Sequence, residues 1–179
     1  MNIVFIGMKH CGKTTHGKAF AAEMNYKFYD TDDVLMDMYN RRNTCALSVR
    51  EIFDRIGDEG FRELEEEVMR LLLKLGQRNV VSMGGRMPIN ETIQADMKQL
   101  GFTVFLKPPP EVLFKRVKRR GLPSFVDPLR PLESFIELYQ RREKYYLDCA
   151  DLVIEMDDLP LSEARSLIFS RIKEKINAR

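Results

Sequence analysis

A phosphate-binding pattern lies near the start of the sequence, directly after the apolar run Ile3–Ile6. Residues 7–14 read Gly-Met-Lys-His-Cys-Gly-Lys-Thr, which matches the spacing G-x-x-x-x-G-K-T. The glycines let the backbone turn sharply and let its amide groups approach phosphate. Lys13 is then placed to reach the β- and γ-phosphates of a nucleotide, and Thr14 to ligate Mg²⁺. A glycine-rich turn with a chance lysine is the alternative, and the helical spacing of residues 18–24 disfavours it.

Two aspartates, Asp30 and Asp32, follow a short strand predicted over residues 27–29. A carboxylate pair at a strand end suits phosphoryl transfer, because Asp30 would hold Mg²⁺ through water and Asp32 would accept from the substrate hydroxyl. The alternative is that one of them only caps the next helix. Thr31, Asp32 or Asp33 could also supply that cap, so the sequence leaves both interpretations open.

Two further features are compatible with either a structural or a binding role. Arg62 and Glu65 are three residues apart on a predicted helix. As an exposed ion pair they would contribute at most about 1 kcal/mol. In a pocket, Glu65 would instead hold the Arg62 guanidinium for a ligand carboxylate. Gly84 and Gly85, after an apolar strand, form either a plain turn or a place where the backbone approaches a ligand.

Strand and helix patterns alternate along the chain, which favours a parallel sheet covered by helices. The predicted strands are residues 3–6, 27–29, 80–83, 102–106 and 152–154. In open α/β sheets, ligands bind beyond the carboxyl ends of the strands. The phosphate loop, the aspartates and the two glycines all fall at such ends, so they are expected to share one site.

The predicted helices have recognisable boundaries. A capping box at residues 48–51 begins a short helix that ends at Gly57, and a longer helix follows from about 58 to 75. Pro88 is typical of the first turn of a helix that runs to residue 100. From 119 to 131 the periodicity disappears, and a loop of this length is often an active-site lid.

Composition excludes several classes of protein. The 179 residues show no repeat and no linker, so we expect one domain over 1–179. No apolar run approaches membrane-spanning length, and no signal peptide is visible. The three cysteines are odd in number and widely spaced, which predicts reduced thiols in a cytoplasmic protein. A nucleic-acid partner is a third option for the basic run 118–120, but ATP explains that run. We expect a monomer.

Taken together, these residues resemble the shikimate kinase family over nearly the whole chain. The matching segments are Gly12–Thr15, Phe28–Asp32, Phe61–Arg62 with Glu65, Gly84–Gly85, and Arg142 followed by Tyr146 and Ala150–Asp151. The resemblance implies an α/β, three-layer P-loop kinase fold with a five-stranded parallel sheet, order 2-3-1-4-5, flanked by helices. It also implies transfer of the ATP γ-phosphate to the 3-hydroxyl of shikimate, with Mg²⁺, in aromatic amino-acid biosynthesis.

The resemblance also assigns roles to residues. It implies ATP binding by His10, Cys11, Gly12, Lys13, Thr14, Thr15, Arg116, Arg119 and Arg120. It implies acceptor binding by Asp32, Arg62, Gly84, Gly85 and Arg142. Lys13 and Asp32 would be catalytic, and Thr14 and Asp30 would serve Mg²⁺. The acceptor-binding helices would cover about residues 31–62 and the lid about 119–131.

The chain departs from the family pattern in its acceptor half. Arg86 replaces a usual third glycine, and it would either crowd the pocket or add a cation suited to a more acidic acceptor. Leu122 replaces a lid arginine, for which Arg119, Arg120 or Arg130 could substitute. His10 also replaces a loop glycine, and Lys144 a proline. These departures leave open a related kinase for another hydroxylated acid such as gluconate, or a nucleotide-binding module that has lost transfer activity.

Overall fold

The computed structural model describes residues 1–119 and 126–178. Within these ranges, five parallel strands form one sheet in the order β2-β3-β1-β4-β5. The strands are β1 (Ile3–Ile6), β2 (Lys27–Asp30), β3 (Asn79–Ser82), β4 (Phe102–Lys107) and β5 (Leu152–Glu155). The fold class and the strand order predicted from the sequence are therefore confirmed.

Helices connect the strands and flank the sheet. They are α1 (Lys13–Met24), α2 (Thr31–Asn43), α3 (Val49–Leu72), α4 (Glu91–Leu100), α5 (Pro110–Lys118), α6 (Pro131–Cys149) and α7 (Leu161–Asn177). A short 3₁₀ turn, Met87–Ile89, lies between β3 and α4. None of the helices in the described part of the chain combines the length and the apolar character needed to cross a membrane.

The centre of the sheet is covered on both faces. Every residue of β1 and β3 is buried, as expected for parallel strands between two helical layers. Phe20 of α1 packs edge-on against Phe5 of β1 at 6.3 Å and against Phe169 of α7 at 5.0 Å between ring centroids. This packing fixes β1, and with it the start of the loop that carries the phosphate-binding pattern.

One predicted helix boundary agrees with the structure and one does not. At Gly57 the backbone leaves the helical conformation, with φ 71° and ψ −174°, so α3 consists of two helical segments that meet at a kink where the sequence predicted one helix to end and the next to begin. The left-handed φ explains why the sequence signal for a helix end is present there. The prediction that Pro88 opens a helix is wrong, because Pro88 belongs to the 3₁₀ turn. Helix α4 begins after Asn90, whose side chain accepts from Thr92 N at 3.0 Å.

Candidate active site

The loop between β1 and α1 folds into an anion-binding cradle. Gly7, His10 and Gly12 have φ values of 137°, 68° and 104°, so the backbone reverses direction repeatedly. Helix α1 then begins at Lys13, with the unpaired amide groups of its first turn at the loop. His10 adopts a left-handed conformation that costs a non-glycine residue about 1–2 kcal/mol. Glycine would adopt this conformation without that cost.

Lys13 is held inside this loop. Its Nζ donates to the carbonyl oxygens of Gly7 at 2.9 Å and Met8 at 3.0 Å. Lys13 is buried, with 9% of the residue exposed, and it lines the cleft at the loop. The ammonium group is therefore positioned by the backbone that surrounds the expected phosphate site.

Three side-chain oxygens meet where α1, β2 and β3 come together. Thr14 Oγ1 donates to Asp30 Oδ2 at 2.7 Å and lies 3.2 Å from Ser82 Oγ. Such hard oxygen groups suit Mg²⁺, so Thr14 and Asp30 fit the predicted metal role. Over residues 1–119 and 126–178, no group of three or more His, Cys, Asp or Glu residues could hold a metal. Few protein ligands are expected for a Mg²⁺ ion that is bound largely through nucleotide phosphates.

Asp30 has a second role, which the sequence left unresolved. Its Oδ1 accepts from Asp32 N at 3.1 Å, so Asp30 caps α2. The suggestion that Thr31, Asp32 or Asp33 supplies this cap is wrong. The extended backbone of Asp30 (φ −102°, ψ 126°) places it immediately before the first helical residue. One carboxylate therefore caps the helix with one oxygen and contacts Thr14 with the other.

Asp32 lies in the cleft with Lys13. Water reaches its side chain from the cleft, but protein surrounds it on most sides, and this burial raises its pKa above the ordinary value. Asp30 adds to the shift, while Lys13 and Lys9 oppose it. A raised pKa makes a carboxylate a better proton acceptor near neutral pH. Asp32 therefore has the position and the basicity to accept from a hydroxyl group.

Gly84 and Gly85 form one wall of the cleft rather than a plain turn. Gly84 N donates to Thr31 Oγ1 at 2.7 Å, and Gly85 O accepts from the Tyr146 hydroxyl at 2.6 Å. A Cβ atom built on Gly84 would lie 3.0 Å from Asp32 Oδ1. Glycine at this position therefore allows the backbone to pass close to Asp32.

The cleft has a volume of about 520 Å³. It is lined by the predicted ATP and Mg²⁺ residues His10, Gly12, Lys13, Thr14, Thr15, Asp30, Arg116 and Arg119 and by the predicted acceptor residues Asp32, Gly84 and Gly85. Among the described residues that were predicted to bind ATP, Cys11 alone does not line the cleft, because its side chain is fully buried. Three further residues line the cleft and were not predicted from the sequence: Lys9, Ser82 and Met83. Only the register of β2 and β3, which pairs Asp30 with Ser82, could have indicated Ser82.

The predicted lid is described only in part. Arg119 follows α5 and lines the cleft. Arg130 instead lies near two acidic side chains, with its Nε 3.7 Å from Asp127 Oδ2 and its Nη1 3.9 Å from Glu137 Oε1. Arg120 and the pair Leu122–Pro123 lie outside the described residues. Of the proposed replacements for the lid arginine, Arg119 is therefore the one with a described place at the cleft.

A second, smaller cleft lies beyond the glycine wall and contains the predicted carboxylate-binding arginines. Its volume is about 150 Å³, and its lining includes Arg62, Glu65, Arg86 and Arg142. Arg62 pairs with Asp58, not with the predicted Glu65, through an Nε–Oδ2 distance of 3.1 Å. Asp58 is one helical turn before Arg62, which makes it an equally accessible partner.

Glu65 is instead a buried carboxyl group, with 4% of the residue exposed. Burial raises its pKa to about 7, although the positive charges of Arg86 and Arg62 act in the opposite direction. Asp32 and Asp58 also raise this pKa, so the electrostatic fields of the two clefts overlap at Glu65. The two sites are therefore neighbours rather than separate surfaces.

Tyr146 connects the two clefts. Its fully buried hydroxyl donates to Gly85 O and lies 3.6 Å from Met8 Sδ in the phosphate loop. A hydrogen bond also joins Tyr146 to Arg142, four residues earlier on α6. Burial lowers the pKa of Arg142 and raises that of Tyr146. Tyr146 belongs to the segments that resemble the family, but no role was predicted for it from the sequence.

Comparisons with known proteins agree on one family. A model of the shikimate kinase family matches residues 9–176. A shikimate kinase from Caldanaerobacter subterraneus subsp. tengcongensis is 33% identical over 178 residues, covering 97% of this chain and 98% of that protein. One from Alkaliphilus oremlandii is 30% identical over 164 residues, covering 90% and 93%. The structure of shikimate kinase from Acinetobacter baumannii in complex with shikimate superposes with a TM-score of 0.83 at 25% identity, covering 99% of this chain and 94% of that one.

The buried carboxyl group of Glu65 predicts a pH-dependent stability. Its pKa is about 7 in the folded chain against an ordinary value of 4.5, so the folded state binds more protons between these values. The free energy of unfolding should therefore fall as pH rises from about 4.5 to about 7, by up to roughly 3 kcal/mol from this group. Urea denaturation at about pH 5 and about pH 8 measures the change.

Glu65→Gln should remove this part of the pH dependence, because glutamine does not titrate in this range. The control is Glu63→Gln, two residues away and exposed, which should retain the dependence of the unmodified chain. Equal pH dependence of the free energy of unfolding in the unmodified chain and in Glu65→Gln would contradict the raised pKa of Glu65.

Proposed function

Because the chain belongs to the shikimate kinase family of ATP-dependent small-molecule kinases, we propose that it transfers the γ-phosphate of ATP to the 3-hydroxyl of shikimate. The observation that carries the proposal is the presence of Lys13 and Asp32 in one cleft, directly beside the cleft of Arg62 and Arg142. Phosphoryl transfer requires the phosphate and the attacking hydroxyl to be held close together and correctly aligned.

The nucleotide half of the proposal rests on the cradle. The backbone amides of residues 10–15 would bind the phosphate oxygens, and Lys13 would contact the β- and γ-phosphates. Thr14 and Asp30 would hold Mg²⁺, which, when bound, neutralises phosphate charge. Arg116 and Arg119 at the rim of the cleft would contact the remainder of the nucleotide.

In the acceptor half, Asp32 would accept a hydrogen bond from the reacting hydroxyl, because it faces Lys13 across the cleft and has a raised pKa. Arg62 and Arg142 would bind the acceptor carboxylate, since guanidinium groups match carboxylates in shape and charge. The backbone at Gly84 and Gly85 would lie between the carboxylate and the phosphate. The acceptor would thus span the two clefts.

The proposal extends to the setting of the enzyme. All three cysteines are unpaired, which fits a reducing compartment such as the cytoplasm. The two clefts are built from one chain, so the reaction as proposed requires no second subunit. Monomeric state and cytoplasmic location stay predictions.

A coupled assay of ADP release tests the proposal with three arms: shikimate, gluconate and no acceptor. We expect shikimate-dependent turnover, with low ATP hydrolysis in its absence because a closed site excludes water. Faster turnover with gluconate would indicate the related kinase, and acceptor-independent or absent turnover with measurable ATP binding would indicate a nucleotide-binding module. Retention of Lys13, Thr14, Asp30 and Asp32 argues against that last outcome.

Asp32→Asn should lower kcat by about 10²–10⁴-fold, because the amide cannot accept the proton of the reacting hydroxyl. The KM for ATP should change little, since the cradle is intact. The matched control is Asp33→Asn, which removes the neighbouring, exposed carboxylate and should leave kcat within about twofold. Full activity of Asp32→Asn would exclude a proton-accepting role.

Tyr146→Phe should raise the KM for shikimate by about three- to tenfold, because the lost hydroxyl leaves Gly85 O unsatisfied and Arg142 less well oriented. The KM for ATP should change less. Tyr139→Phe is the control on the same helix, since that buried hydroxyl donates to Pro108 O at 3.0 Å, away from both clefts. Equal effects of the two variants on the KM for shikimate would contradict a positioning role for Tyr146.

A further inference from the structure

Arg86 lies at the edge of the smaller cleft, in the turn that follows Gly85. Its guanidinium Nη2 donates to Asp58 Oδ1, and the guanidinium carbon lies 5.1 Å from the centre of the Phe53 ring. The side chain is 34% exposed, so it is partly enclosed. Phe53 in turn packs edge-on against the buried Phe61 at 5.4 Å between ring centroids. An ion pair and an aromatic ring therefore fix the direction of Arg86.

Asp58 joins Arg86 to the helix that carries Arg62. It follows the kink at Gly57, and its two oxygens contact two different arginines, Oδ1 with Arg86 and Oδ2 with Arg62. The hydrogen bond from Arg86 is the main reason that the pKa of Asp58 lies below its ordinary value. Asp58 thus stays charged and aligns both guanidinium groups along one side of the cleft.

The charges around this cleft favour an anion. Arg62, Arg86 and Arg142 all line it. Arg86 is close enough to Arg142 for their like charges to contribute to the lowered pKa of Arg142, after burial. Glu65 compensates incompletely, because burial raises its pKa to about 7 and part of it is neutral near that pH. A ligand anion would relieve the repulsion between the arginines.

We propose that Arg86 is a specificity-determining residue that supplies a third guanidinium group to the carboxylate of the acceptor, directed by Asp58 and Phe53. This inference rests on the proposed function, since it assumes that the acceptor is a hydroxylated carboxylic acid. Arginine suits the role because its planar, permanently charged group can bond a carboxylate while it stacks on an aromatic ring. The opposite hypothesis is that Arg86 only crowds the cleft.

The test compares Arg86→Gln, Arg86→Lys and Arg50→Gln by steady-state kinetics with shikimate and ATP. Arg50 is the matched control because it is also an arginine that lies beside an aspartate, with its Nε 3.9 Å from Asp54 Oδ2. Unlike Arg86, it is exposed and lines neither cleft. Arg86→Gln should raise the KM for shikimate about tenfold, the effect of one lost charged contact. Its kcat at saturating shikimate and its KM for ATP should each change less than about threefold, because ground-state acceptor binding is what is lost.

Arg86→Lys should recover part of the lost affinity, since it keeps the charge but not the planar group. Arg50→Gln should leave all constants within about twofold. An unchanged or lower KM for shikimate in Arg86→Gln would overturn the proposal and favour crowding. No recovery in Arg86→Lys, together with an equal rise in the KM for ATP, would also overturn it, because it would indicate a general structural effect.

Asp58→Asn provides a second, independent measurement. It should raise the KM for shikimate. In the double variant with Arg86→Gln, the KM should rise by less than the product of the single effects, since part of the effect of Asp58 passes through Arg86. Fully multiplicative effects would contradict the alignment of Arg86 by Asp58. The outcomes separate the two proposals: an unmodified enzyme without shikimate-dependent turnover refutes the proposed function, whereas normal turnover with an unaffected Arg86→Gln refutes only the role of Arg86.

Discussion

The parallel pairing of β2 with β3, and of β3 with β1, is the constraint on which the site depends. It brings the carboxyl ends of the strands to one edge of the sheet and sets Asp30 opposite Ser82. Thr14, at the start of α1, then reaches both side chains. A shift of one residue in either register would turn alternate side chains to the other face and separate these oxygens. Every residue of β1 and β3 is buried, so such a shift would disrupt core packing, which protects the geometry of the cleft.

The alternation of strand and helix patterns predicted a parallel sheet, the family resemblance implied its strand order, and local motifs predicted much of the larger cleft. The predictions were wrong where several nearby groups compete for the same hydrogen bond or ion pair. Asp30 rather than its neighbours caps α2, and Asp58 rather than Glu65 pairs with Arg62. Ser82 and Tyr146 had no local signal, since their contacts join residues far apart in the chain. Tertiary packing determines such contacts, and the spacing of residues in one sequence carries little information about tertiary packing.

At two carboxyl groups of the clefts, the effect of burial on the pKa outweighs the effect of nearby positive charges. Asp32 is near Lys13 and Lys9, and Glu65 is near Arg86 and Arg62, yet the pKa of each carboxyl is raised. At the exposed Asp58 the effects are reversed, because the hydrogen bond from Arg86 and the nearby arginine charges lower its pKa. Water screens the pair of Arg62 and Asp58, so it adds at most about 1 kcal/mol to stability. The pair therefore orients the Arg62 side chain more than it stabilises the fold. Stability comes from the apolar core, and the ion pairs at the clefts serve mainly to direct guanidinium groups.

The cradle is organised before any ligand binds, and Lys13 illustrates how. An ammonium group has three donors, and two of them hold the carbonyls of Gly7 and Met8. These bonds close the loop on itself and offset the left-handed conformation at His10. The third donor is directed at a weak acceptor, Cys11 Sγ at 3.9 Å, so a phosphate oxygen would be a stronger partner for it. Tyr146 then links Met8 in the same loop to Gly85 in the wall beside the smaller cleft. In the described part of the chain, these contacts align the two clefts with each other, and such alignment lowers the cost of orienting two reactants.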